Sequence, residues 1–167
     1  MKKTVLLLII LSTLSLTSFA QPGNPTVFGT NEWIVYAYDG NNFNTYAGFY
    51  TEPNITFDTR DRWSTFNSPS NASGYQGNMI PVNQHSYSHK RTGFTCGTYQ
   101  IDITNHDDNA ELLINGLSIF THNGWGDSHT SVYSGFLGPT STVEFRIREG
   151  VGNSHSGLSI TQINNNP

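Results

Sequence analysis

Asn115-Gly116, bracketed on both sides by alternating apolar residues, constrains the fold of this chain more than any other feature. A two-residue type I′ turn needs φ > 0 at both central positions, and Asn and Gly tolerate that best, so the pair marks a tight hairpin. Counting outward, Ile114 is expected to face Leu117 and Leu112 to face Ile119. These four residues share one side of the ribbon because the side-chain period is two, and that side reads as a core face. The opposite side carries Glu111, Leu113, Ser118 and Phe120 and is half apolar. Directly before the hairpin stand Asp107 and Asp108, two adjacent carboxylates at the start of a buried strand, where a loop of oxygen ligands would be held rigidly.

Elsewhere the pattern is again strands and turns, without a helical period longer than about one turn. Residues 33–38 alternate, 46–50 are aromatic-rich, and 98–104 place Tyr99, Ile101 and Ile103 on one face with Gln100 and Asp102 on the other. In 142–148, Val143, Phe145 and Ile147 are predicted to point inward, with Thr142, Glu144, Arg146 and Arg148 toward water. Residues 157–163 offer a last strand through Leu158 and Ile160. Residues 67–83 and 121–130, rich in Asn, Ser, Gly and Pro, read as loops. Many short amphipathic strands joined by turn-rich loops predict an all-β protein, an antiparallel β-sandwich.

The first twenty residues read as an export signal rather than part of the fold. Lys2 and Lys3 open it in a bacterial-looking Met-Lys-Lys start, an apolar run follows, and Ser18-Phe19-Ala20 supplies small residues where a signal peptidase cuts, so cleavage is expected after Ala20. The apolar run is too short for a bilayer, and no later segment is apolar enough to insert. A secreted, extracellular or cell-surface protein is expected. Residues 21–163 suit a single domain, and 164–167 form a polar tail or the stub of a linker. Of the eight Lys and Arg, two fall in the leader, leaving six against twelve Asp and Glu. That surface makes nucleic acid and anionic membranes poor partners. Cys96 is the one cysteine, which excludes an internal disulfide and reads as a small buried residue, with an intermolecular bridge as the lesser alternative.

Asp107-Asp108, the run from Ala110 to Leu117, the loop Asn123-Gly124-Trp125-Gly126, and the strand 142–148 followed by Glu149-Gly150 and Leu158-Ser159-Ile160 together resemble the second half of a PA14-like domain. The resemblance covers residues 93–163. The earlier part resembles modules of large secreted surface proteins of Bacteroidetes through its aromatic strands. The resemblance implies a β-sandwich whose sugar-binding members, such as yeast flocculins and related adhesins, hold Ca²⁺ with a paired Asp motif joined by a cis peptide, plus a second loop near the last strands. The ion then grips sugar hydroxyls. Carried to this chain, Asp107 and Asp108 would be metal ligands, and the second loop would be 149–155 with Asn153 as the amide ligand, although Glu149-Gly150 directly after the strand departs from the family pattern. Other members bind no sugar, so fold alone does not assign function.

Calcium suits such a loop, because a hard cation takes six to eight oxygens from carboxylates, carbonyls and water. A shared ion requires the Asp107-Asp108 loop and the 149–155 loop to meet. Trp125, between glycines in a polar loop, is either a stacking platform for a sugar ring or a cover for a sheet edge; Trp33 and Trp63 read as core. His85 and His89 have a zinc-like spacing without a third ligand and read as partly exposed loop residues. Should His106, His122, His129 and His155 gather beside the acidic loop, they would make it pH-sensitive without making it catalytic. The expected function is a secreted, calcium-dependent carbohydrate-binding module that engages a glycan or cell-surface polysaccharide through Trp125, Asp107, Asp108 and Asn153. The alternative is a non-catalytic adhesion or spacer module that binds a protein partner and uses calcium only for stability. A glycoside hydrolase built on Asp107, Glu111, Glu144 or Glu149 ranks last, since no nucleophile motif accompanies these acids.

Overall fold

The computed structural model describes residues 23–126 and 128–164. The proposed leader and residues 165–167 lie outside them. Twelve strands are found among the described residues: β1 Gly29–Thr30, β2 Trp33–Asp39, β3 Thr45–Glu52, β4 Phe57–Asp58, β5 Gln76–Gly77, β6 His85–Thr92, β7 Gly97–Asp107, β8 Asn109–Ile114, β9 Leu117–His122, β10 His129–Leu137, β11 Val143–Arg148 and β12 His155–Asn164. They form two sheets. The first runs β5-β3-β2-β6-β11-β8-β9, with β1 added alongside β6, and the second runs β10-β7-β12-β4. The protein is therefore the predicted sandwich, with short 3₁₀ turns at Thr59–Asp61 and Pro69–Asn71.

The alternation in β7 and β11 sets the core. Tyr99, Ile101 and Ile103 of the second sheet meet Val143, Phe145 and Ile147 of the first, and Trp33, Val35, Tyr50, Leu112 and Leu158 complete the same cluster. Trp33 and Trp63 are both buried, and their indole N–H groups donate to the carbonyls of Ile55 (3.1 Å) and Ser154 (3.3 Å). At Asn115-Gly116 the φ values are 51° and 79°, the left-handed pair that the turn demands. Asn115 Oδ1 accepts from the Thr142 N–H at 2.9 Å, which ties the turn to the start of β11. A Cβ at Gly116 would meet nothing within 4 Å. Gly116→Ala should therefore lose about 1 kcal/mol, from the positive φ alone, and a urea melt reads that loss directly.

Several sequence-based expectations are corrected. Ile114 pairs with Leu117, but Leu112 pairs with Phe120 rather than Ile119, because the ladder shifts register between Leu112 and Leu113. Leu117 is exposed, so the presumed core face of the hairpin is open at the turn, while Ile119 farther along β9 is partly buried against the core. Glu144 does not point to water. Its strand lies between β6 and β8, and Lys90 (3.5 Å) and Arg146 (2.7 Å) from the same outer face close over it. His85 and His89 are fully buried in β6 instead of half-exposed in a loop. Cys96, read as buried, is exposed. The 67–83 stretch contains β5, and 121–130 includes the end of β9 and the start of β10.

Candidate functional site

Three connections cross between the sheets at one end of the sandwich. The chain leaves β7 in the second sheet and enters β8 in the first through Asp107-Asp108; it returns from β9 to β10 through residues 123–128, and from β11 to β12 through residues 149–154. Because β8 pairs with β11 and β7 pairs with β12, the acidic crossover and the 149–154 crossover must meet. Arg148 lies opposite Asn109, and His155 lies opposite Asp107. An isolated bridge between His106 and Gly126 draws the third crossover to the same place.

The Asp107–Asp108 peptide is cis, as the resemblance implies. The Gly150 N–H donates to Asp108 Oδ2 at 2.9 Å, which joins the two acidic segments. Carboxylate oxygens of Asp107, Asp108 and Glu149 all lie within 4.8 Å of one another, a spacing suited to a shared cation. Glu149 is the residue that sequence reasoning undervalued. It stands where the family pattern is broken, its backbone N–H is held by the His85 carbonyl at 2.9 Å, and its side chain is fully buried. Neither carboxylate oxygen of Glu149 has a hydrogen-bond partner among the described residues. A buried acid without partners is costly unless neutral or bound to a cation. Burial, together with the charges of Asp108 and Asp107, pushes the Glu149 carboxyl up to about 8. Burial and the adjoining Asp108 carboxyl raise Asp107 to about 7. Asn153 is exposed on the same crossover, four residues beyond Glu149.

Trp125 lies in the 123–128 crossover and is 60% exposed, so it does not fold back onto a sheet edge. His155 approaches Asp107 at 3.9 Å and binds Asn105 Oδ1 through Nδ1 at 2.9 Å. The other three histidines of this region form a group of their own. His106 is fully buried, His122 and His129 are half-buried, and one ring nitrogen of each lies within 4.8 Å of the others. Burial holds His106 and His129 below the usual imidazole range. The remaining acids weighed for hydrolysis, Glu111 and Glu144, are bound by Arg146 on the outer face of the first sheet.

No family model matches the chain, and no curated protein matches it either. Solved structures do. A PA14 sugar-binding domain from an RTX adhesin superposes with a TM-score of 0.57 at 14% identity, covering 80% of this chain and 91% of its own. The PA14 domain of the antifreeze protein MpAFP gives 0.52 at 12% identity, over 80% and 83% of the two chains. An anti-sigma factor domain-containing protein from Clostridium clariflavum gives 0.51 at 14% identity, over 78% of this chain and 42% of its own. At these identities the likeness is one of fold, and the fold is PA14-like.

Proposed function

We propose that this PA14-like sandwich is an exported, calcium-dependent carbohydrate-binding module of the lectin or adhesin type, without enzymatic activity. One observation carries the reading: the crossovers of the two sheets converge Asp107, Asp108 and Glu149 on one point, and the buried Glu149 carboxylate has no hydrogen-bond partner among the described residues. Oxygen ligands alone, two of them on adjacent residues, suit a hard divalent cation. Asp107, Asp108 and Glu149 would hold the ion. Asn153, exposed four residues beyond Glu149 on the same crossover, would contact either the ion or the bound sugar. Calcium would supply the open coordination positions that take up vicinal sugar hydroxyls.

Trp125 fits the role of stacking platform, since an indole left 60% exposed between two glycines has a free face for a sugar ring. The RTX adhesin domain of similar fold is named for sugar binding, which accords with this choice. The test is a glycan array probed with and without chelator. Binding that requires Ca²⁺ supports the module; Ca²⁺ uptake with no glycan bound on any condition would instead leave the ion structural and favour an adhesion or spacer role. Within a positive result, Trp125→Ala should weaken glycan binding about tenfold or more. Its thermal stability should stay within about 0.5 kcal/mol of the wild type, because an exposed side chain contributes little to folding.

A further inference from the structure

We propose that His106, His122 and His129 form a second cation site, distinct in chemistry from the acidic trio and selective for a divalent transition ion of the zinc type. Imidazole nitrogens bind Zn²⁺ well and Ca²⁺ poorly, whereas carboxylate and carbonyl oxygens do the reverse. The two clusters therefore sort two kinds of ion although His106 and Asp107 are adjacent in sequence.

Four features make the histidine group a site rather than an accident of packing. First, His106 Nδ1 lies 2.7 Å from the Asp108 carbonyl oxygen, which accepts its proton and leaves the Nε2 lone pair turned toward the group, where it accepts a hydrogen bond from His129. A backbone carbonyl on the far nitrogen is the usual way a ligating imidazole is oriented. Second, that Nε2 stands 3.0 Å from His129 Nε2. Ligand nitrogens of a tetrahedral zinc, each about 2.0–2.1 Å from the metal, are separated by roughly 3.3 Å, so two ligands are already nearly at coordination spacing. Third, His122 Nδ1 is buried without a hydrogen-bond partner among the described residues, while its ring lies 5.0 Å from that of His106 and 4.7 Å from that of His129.

The fourth feature is Gly126. A Cβ there would come within 2.5 Å of His106 Nε2 and 3.0 Å of His129 Nε2, so a side chain at this position would occupy the space between the two ligands. Gly126 is held in place by reciprocal backbone hydrogen bonds with His106, at 3.0 and 3.2 Å. The Phe120 ring packs 4.9 Å from that of His129. His122 and His129 are half-buried, so solvent reaches the cluster, and water would complete a three-nitrogen coordination sphere.

The test is calorimetric titration of the purified, metal-free protein with ZnCl₂ in the presence of excess CaCl₂. One zinc per chain is expected, undisturbed by calcium. The His122→Gln/His129→Gln double variant should bind it at least about 100-fold more weakly, since even outer-shell changes at such sites cost 10–100-fold. Glu149→Gln should bind zinc like the wild type. Zinc uptake that survives the histidine variant, that is lost in Glu149→Gln, or that is absent from the wild type would overturn the proposal. Cobalt(II) added to the wild type gives a reading that needs no variant. Strong visible absorption of a tetrahedral nitrogen-ligated ion supports the site, and the weak spectrum of an octahedral oxygen-ligated ion refutes it.

Discussion

Saturating Ca²⁺ should raise the melting temperature of the wild-type protein by roughly 5–10 °C, because an ion bound only by the folded state stabilises it by about 2.7 kcal/mol at a hundredfold excess over Kd, and a chain of this size shifts a few degrees per kcal/mol. Asp107→Asn/Asp108→Asn removes the shift. Glu149→Gln removes it too, and its behaviour without calcium separates the ion from ordinary packing. In the ion-free wild type the Glu149 carboxyl, raised to about 8 by burial and by the two aspartates, is forced to ionise next to like charges as pH rises. A carboxyl whose folded pKa lies above its unfolded value contributes stability in full below the unfolded value, near 4.5, and loses it as pH climbs to about 8. Chelated Glu149→Gln at pH 8 should accordingly melt above the chelated wild type, while calcium raises only the wild type. Thermal melts of three proteins in chelator and in CaCl₂ decide it. A variant that still responds to calcium would show that the ion binds elsewhere.

Acid should destabilise this protein through His89. Its ring stacks on Phe57 at 4.2 Å and is flanked by Tyr87, Trp33 and Phe145, and neither ring nitrogen has a hydrogen-bond partner among the described residues. Burial pushes its pKa down to about 3, and burial likewise lowers His85 to about 4, against 6.5 ordinarily. Both rings are therefore neutral in the folded state, while the unfolded chain takes up protons below 6.5. A base with a depressed folded pKa contributes stability in full above its unfolded pKa, so the loss begins near pH 6.5 and continues down toward pH 3–4. For His89, fully buried, the loss by pH 3 is on the order of 4 kcal/mol, a large share of the stability of an ordinary domain. His89→Phe should flatten this acid limb and leave the ring stack in place. Urea unfolding of both proteins between pH 7 and pH 4 is the measurement, and parallel pH curves would show that His89 does not set the acid sensitivity.

How much of this was legible in the sequence depends on which residues face inward. β7 and β11 announce themselves because Tyr99, Ile101, Ile103, Val143, Phe145 and Ile147 are apolar at every second position. β6 has the same period, but its inward residues are His85, Tyr87, His89 and Arg91, opposite Ile147, Phe145 and Val143 on β11. A hydropathy pattern cannot register a core face built from histidine and arginine. β10 escapes for the opposite reason. It is an edge strand of the second sheet, half-exposed along most of its length, so nothing compels alternation. Glu144 misled because outward was equated with solvated, which holds at an edge but not in a central strand, where Lys90 and Leu113 on the flanking strands and Arg146 on its own cover it.

The sequence by itself determined the local geometry: the left-handed turn at Asn115-Gly116, the two faces of β7 and β11, and the adjacency of Asp107 and Asp108, all set by interactions within a few residues. The assembly of the ion sites was decided by tertiary structure alone. Glu149 reaches the aspartates because β11 pairs with β8 while β12 pairs with β7, and Gly150 then meets Asp108 across 42 residues of chain. His122 and His129 reach His106 because the β9–β10 connection crosses between the sheets at that same end. Strand order is settled by the joint burial of two sheet faces, a property of the whole core, so no spacing along the chain encodes which crossovers will meet.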